Sequence, residues 1–178
     1  MPIGDESFTG RWLLVGPQDD ATFASLAQKI DSANCTVDRQ IIDLNDVRWQ
    51  DASHWRELLA ANDLASVIVQ LPSGAQETDT AAATELRAQV VLAASGALAS
   101  LGPRRWLQLR MLWVTRGAQA ADDATDVSLD LTQSAALGLV LSWPYELKGL
   151  RRRAVDLGVD AEANDAEWLL AELAALGT

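Results

Sequence analysis

The sequence predicts an α/β protein: a doubly wound three-layer sandwich, with helices covering both faces of a mostly parallel sheet of five or six strands. Three observations predict it. Short apolar runs alternate with longer segments whose apolar residues recur at helical spacing. The short runs are apolar throughout, the pattern of strands buried on both faces. Right-handed crossovers between such strands then place helices on both sides of the sheet. At 178 residues the chain is long enough for one domain with a sizeable core. We divide it into a lead segment over residues 1–9 and one domain over residues 10–178.

The elements follow in order. Trp12-Leu13-Leu14-Val15, closed by Gly16-Pro17, reads as the first strand. Residues 20–33 form a helix with Phe23, Leu26, Ala27 and Ile30 on its apolar side. Residues 36–44 form a second strand containing Val37, Ile41 and Ile42. Asp51 or Ser53 caps a short helix carrying Trp55, Leu58 and Leu59, which ends at Asn62-Asp63. The third strand covers residues 65–71 and stops at Pro72-Ser73-Gly74. A long helix over residues 79–101 carries Leu86, Val90, Leu92, Ala93, Leu98 and Leu101, and Gly102-Pro103 terminates it. Residues 107–115 are the fourth strand, followed by a polar, acidic loop from Gly117 to Val127. Residues 128–141 read as a helix, with Asp130 and Gln133 spaced as a capping box. Residues 154–157 are the fifth strand. Asn164 caps a last helix with Glu167 in the reciprocal position and Trp168, Leu169, Leu173 and Leu176 on its apolar side.

Charge and composition exclude several functions. The formal charge is −11, whereas nucleic-acid binders present a basic face to phosphate. The two basic clusters, Arg104-Arg105 and Arg151-Arg152-Arg153, read as surface charges at the starts of strands. No apolar run approaches the ~20 residues of a membrane span, and the acidic start has no secretory pattern. The single cysteine, Cys35, reads as a small buried apolar residue, and the compartment is expected to be cytoplasmic.

Ligands of such sheets bind at the carboxyl ends of the strands, where strand order reverses. A dinucleotide needs several glycines at the first strand–helix turn, so that backbone amides can approach the pyrophosphate. This chain offers Gly16-Pro17-Gln18-Asp19-Asp20: one glycine, a residue without an amide proton, and two carboxylates. Asp19-Asp20 reads as a solvated helix start favoured by the helix dipole. A phospho-receiver would also need an aspartate where Gln70-Leu71-Pro72 stands. Ala94-Ser95-Gly96 lies within a helix and makes no nucleophile elbow. One histidine, His54, and one cysteine leave no triad or zinc site. His54 reads as a partly exposed helix-start residue. Tyr145 and Lys148 are one residue too close for the Tyr-x-x-x-Lys of short-chain reductases. The seven tryptophans are spread along the chain as core or interface anchors. These readings assign no catalytic, cofactor-binding or metal-ligating residue.

Gly10-Arg11-Trp12-Leu13-Leu14-Val15-Gly16 resembles the opening strand of the ketoreductase region of modular type I polyketide synthases, in its N-terminal, structural half. Leu112-Trp113-Val114-Thr115-Arg116-Gly117-Ala118-Gln119 is the most specific match. Residues 133–142 are similar to the helix that follows that segment, and Arg153-Ala154-Val155-Asp156-Leu157 resembles a later strand. The resemblance spans roughly residues 10–176. It implies a truncated Rossmann-like domain that binds no cofactor and packs against a catalytic half placed after it. That half would bind NADPH and carry the Lys, Ser and Tyr residues of the reductase. Neighbouring synthase domains are further expected partners, with no nucleic acid and no membrane.

Trp143-Pro144-Tyr145-Glu146-Leu147-Lys148 departs from the family's segment containing His-Pro-Glu, so the docking surface there is expected to differ. The resemblance makes Arg116, Gly117 and Trp143 the candidate domain-docking residues, with Arg116 pairing with a carboxylate of the catalytic half. The alternative is an independent α/β protein that binds a small molecule at the carboxyl end of its sheet.

Overall fold

A computed structural model describes residues 10–33, 35–73, 79–119, 129–160 and 162–176. The expected lead segment and most of the acidic loop after Gly117 lie outside the described residues. Five strands, β1 (Arg11–Gly16), β2 (Thr36–Ile41), β3 (Leu64–Gln70), β4 (Arg110–Arg116) and β5 (Arg151–Leu157), form one sheet in the order β2-β1-β3-β4-β5. Every pairing is parallel. Among the described residues six α-helices follow the strands, α3 and α4 in succession: α1 (Ala21–Ser32), α2 (Ala52–Leu59), α3 (Thr80–Leu101), α4 (Pro103–Trp106), α5 (Leu131–Glu146) and α6 (Asp165–Ala175). This is a Rossmann-like α/β fold. Its strand order equals the six-stranded dinucleotide-binding order with the outermost strand removed, and it is also the flavodoxin order. In both, order reverses between β1 and β3.

The period-two geometry of strands sorts the core into two layers. Leu13, Val15, Val67, Val69, Met111 and Trp113 face one way and pack with α2, α3 and α5. Trp12, Leu14, Ile68, Leu112 and Val114 face the other way and pack with α1 and α6. The central strands are buried as expected, but the edge strands β2 and β5 are only partly covered. Ile42 and Leu44, expected in β2, follow it and still enter the core.

Caps explain most element starts. Asp20, Asp51, Asp79 and Asp130 each accept backbone N–H bonds at the start of a helix. Gly102, at φ 75°, ends α3, and Pro103 opens α4 in the first helical position, where its missing amide costs nothing. Gly102-Pro103 thus starts a helix as well as ending one, and α4 delays the start of β4 to Arg110, later than the expected residue 107. No expectation covered the 3-10 turn over Val47–Gln50, capped by Asp46.

Several side chains sit elsewhere than expected. Arg105 is a buried residue, 8% exposed, not a surface charge. Its guanidinium donates to the carbonyls of Leu59, Ala61 and Leu64, across the link between α2 and β3. Burial lowers its pKa, against an opposing pull from Asp63. Leu92 and Trp168, assigned to apolar faces, are 57% and 68% exposed. Asn164 makes no side-chain cap bond, and Glu167 pairs with Lys29 of α1 instead. Cys35 is buried in the α1–α6 layer, and the other six tryptophans are core residues.

Candidate functional site

The carboxyl ends of β1, β3 and β4 converge on one buried polar cluster. Arg116 ends β4 with 7% exposure. Its Nη1 donates to Asp165 Oδ2 at 2.9 Å and to the Gly158 carbonyl at 3.2 Å. Its Nη2 donates to Thr22 Oγ1 at 2.5 Å, and its Nε lies 3.6 Å from Asp20 Oδ2. Thr22 Oγ1 in turn donates to Asp165 Oδ2 at 3.3 Å. Asp20 caps α1 through Phe23 N at 3.0 Å and accepts from Gln70 Nε2 at 2.5 Å. Asp20 is therefore part of an internal ion-pair network, not a solvated helix start.

The backbone N–H of Arg116 donates to Gln133 Oε1 at 3.0 Å. Gln133 Nε2 and Ser73 Oγ both donate to Asp130 Oδ2. The expected capping box is thus half formed. Asp130 caps α5, but Gln133 Oε1 accepts from the Arg116 N–H of β4 rather than from the Asp130 N–H, which donates to the Gly117 carbonyl. On the far side, Asp156 accepts from Thr115 Oγ1, Ala118 N and Gln119 N at 2.7, 3.0 and 2.8 Å.

Gly117 joins these parts. Its φ is +62°, and a Cβ there would lie 2.8 Å from Val159 Cγ2. Its N–H donates to Leu157 O and its carbonyl accepts from Asp130 N. Trp143 is 2% exposed and meets Trp113 edge-on, with centroids 5.5 Å apart. The three expected docking residues, Arg116, Gly117 and Trp143, therefore all lie inside the chain. The carboxylates beside Arg116 are the chain's own Asp165 and Asp20, because a buried guanidinium must be paired where it sits.

At the first strand–helix turn, the Phe23 ring lies against Gly16. A Cβ on Gly16 would fall 2.5 Å from Phe23 Cε1. The N-terminus of α1 is held by the Asp20 carboxylate. Among the described residues, no group of three or more His, Cys, Asp or Glu is arranged to hold a metal ion. None of their helices is long and apolar enough to cross a membrane. His54 is half-buried at the start of α2, edge-on to Trp49 at 5.0 Å.

A second feature lies on the outer side of α5. Leu131, Ala135, Gly138, Leu141 and Tyr145 follow one another at helical spacing, and all are exposed. Leu131, Leu141 and Tyr145 are 62%, 53% and 82% exposed. Leu92, Gly96 and Ala99 of the neighbouring α3 are exposed as well. No charged residue occurs in α5 before Glu146. This stripe is uncharged and apolar on an otherwise acidic chain.

No protein-family model matches this chain, and no curated protein matches it in sequence. Solved structures share its fold. A GDP-L-fucose synthetase from Naegleria fowleri aligns with a TM-score of 0.57 at 10% identity, covering 85% of this chain and 50% of that one. A short chain dehydrogenase from Mycobacterium smegmatis aligns with a TM-score of 0.55 at 13% identity, covering 96% of this chain and 86% of that one. The chain thus spans half the length of the synthetase. At these identities the likeness is one of fold.

Proposed function

We propose that this chain is a non-catalytic structural subdomain that supports the ketoreductase catalytic half of a type I polyketide synthase. In this reading NADPH belongs to the catalytic half, and the chain contributes a rigid docking platform. One observation carries the reading: beside the switch point, where a sheet of this order takes its ligand, Arg116 is paired with the chain's own Asp165 and Asp20.

The first turn supports it. A pyrophosphate there would meet the Asp20 carboxylate, a proline without an N–H, and the Phe23 ring over Gly16. Electrostatics and sterics both oppose it, so these residues do not fit a dinucleotide. The exposed stripe on α5 supplies what a supporting subdomain needs, an apolar face to bury against its neighbour.

The test has two arms. Titration with NADPH, followed by tryptophan fluorescence, is expected to show no saturable binding; micromolar binding by the isolated chain overturns the reading. Coexpression with a ketoreductase catalytic half is expected to give a stable complex, lost on Leu141→Glu with Tyr145→Glu. A complex that never forms overturns the docking role.

A further inference from the structure

Seven of the chain's 14 basic residues belong to three short segments that meet at one corner of the molecule. Arg104 and Arg105 lie on α4, Arg110 opens β4, and Lys148, Arg151, Arg152 and Arg153 surround the entry to β5. The sheet register places Arg110 beside Arg151 and Met111 beside Arg152. Arg151 Nη2 donates to the Leu107 carbonyl at 3.1 Å. Gly149 lies against the same residue, since a Cβ there would sit 3.6 Å from Leu107 Cδ2. Leu107, just after α4 and beside Arg151 and Gly149, is 63% exposed.

Besides Arg151, which holds the Leu107 carbonyl, three of the seven are engaged within the chain. Arg105 binds backbone carbonyls, Arg110 Nη2 donates to Ser66 Oγ at 3.0 Å, and Arg153 pairs with Glu172. Arg104, Lys148, Arg151 and Arg152 have no ion pair among the described residues. The first three are exposed, and Arg152 is half-buried with its Nε making no hydrogen bond. The crowding is felt internally. Burial and then the charge of Arg151 hold Arg110 below its ordinary pKa.

A parallel α/β fold gathers its helix C-termini at this pole, and their partial negative charge favours cations. That accounts for Lys29 and Arg56 in the last turns of α1 and α2. It does not account for three consecutive arginines opening a strand. Like charges gathered around an exposed leucine are a surface whose complement is acidic and apolar together.

We propose that the corner formed by Arg104, Leu107, Lys148 and Arg151 docks an acidic amphipathic helix of a partner protein. Carboxylates of that helix meet the three cations, and its apolar side receives Leu107. A nucleic acid fits less well. The patch is short, and a phosphate backbone offers nothing to the leucine. The proposal is independent of the ketoreductase reading.

The test uses the intact chain and a fluorescein-labelled synthetic helix with glutamate on one side and leucine on the other, followed by fluorescence anisotropy. Saturable binding that weakens as salt is added is expected. Arg104→Glu with Lys148→Glu, at exposed positions without described ion pairs, should weaken it by roughly tenfold or more. Leu107→Ser should weaken it without changing its salt dependence. Three results would overturn the proposal: no saturable binding at low salt, binding indifferent to the charge reversals, or a single-stranded oligonucleotide bound as tightly and unaffected by Leu107→Ser.

Discussion

Arg116 and Asp165 stand 49 positions apart in the sequence and 2.9 Å apart in the structure, both more than nine-tenths buried. Their pairing joins the end of β4 to the start of α6. Through Thr22 and Asp20 it also reaches the start of α1. A buried pair of this kind gives modest net stability while intact, but removing one partner strands the other charge away from water.

Replacing Arg116 with leucine is therefore expected to destabilise the chain by about 3–5 kcal/mol, read as a lower urea midpoint. Adding Asp165→Asn should recover part of the loss, because the stranded carboxylate is gone. A midpoint unchanged by the single substitution contradicts the network.

Gly16→Ala should cost about 1–3 kcal/mol by overpacking, since the new methyl meets the Phe23 ring at 2.5 Å. Phe23→Leu in the same chain should relieve much of that strain. A double variant less stable than the sum of the two singles contradicts this placement of the ring.

Trp168 is 68% exposed, and the other six tryptophans are at most 9% exposed. Trp168→Phe should remove most of the acrylamide-quenchable fluorescence and change stability by no more than about 0.5 kcal/mol. The near-ultraviolet circular dichroism should survive, because it arises from the buried chain Trp49, Trp55, Trp113 and Trp143, whose successive ring centroids are 5.4, 6.5 and 5.5 Å apart. Trp113→Phe, in the middle of that chain, should diminish it.

Asp51 is held below the ordinary carboxylate pKa by the backbone N–H of Ser53, with smaller help from the Ser53 side chain and from His54. A carboxylate with a depressed folded-state pKa adds stability above its unfolded pKa and loses it as pH falls through the folded value. The destabilisation by Asp51→Ala should thus be full at about pH 7 and shrink steadily below about pH 4. Paired urea titrations across that range check it. A loss that stays constant assigns Asp51 a role other than its charge.

The fold was legible because its signals are local. Continuous apolar runs such as Val67-Ile68-Val69 mark strands buried on both faces, and aspartates ahead of α1, α2, α3 and α5 mark helix starts. The errors arose where a local signal has two meanings. Gly102-Pro103 both ends one helix and begins another. Trp168 fits the apolar period of α6 and still faces solvent. The buried cluster was mostly illegible, because Thr22, Arg116 and Asp165 are brought together only by the strand order. One clue was present. An arginine ending a fully buried strand needs acceptors inside the chain, and Asp20 closes the turn after β1.

The Arg116–Asp165 ion pair also sets a schedule for synthesis. Arg116 leaves the ribosome long before Asp165 does. Until the last helix emerges, the end of β4 holds a cation without its principal carboxylate partner, which disfavours early burial of the sheet's centre. The nascent chain should therefore stay protease-sensitive until Asp165 has left the exit tunnel, and then close.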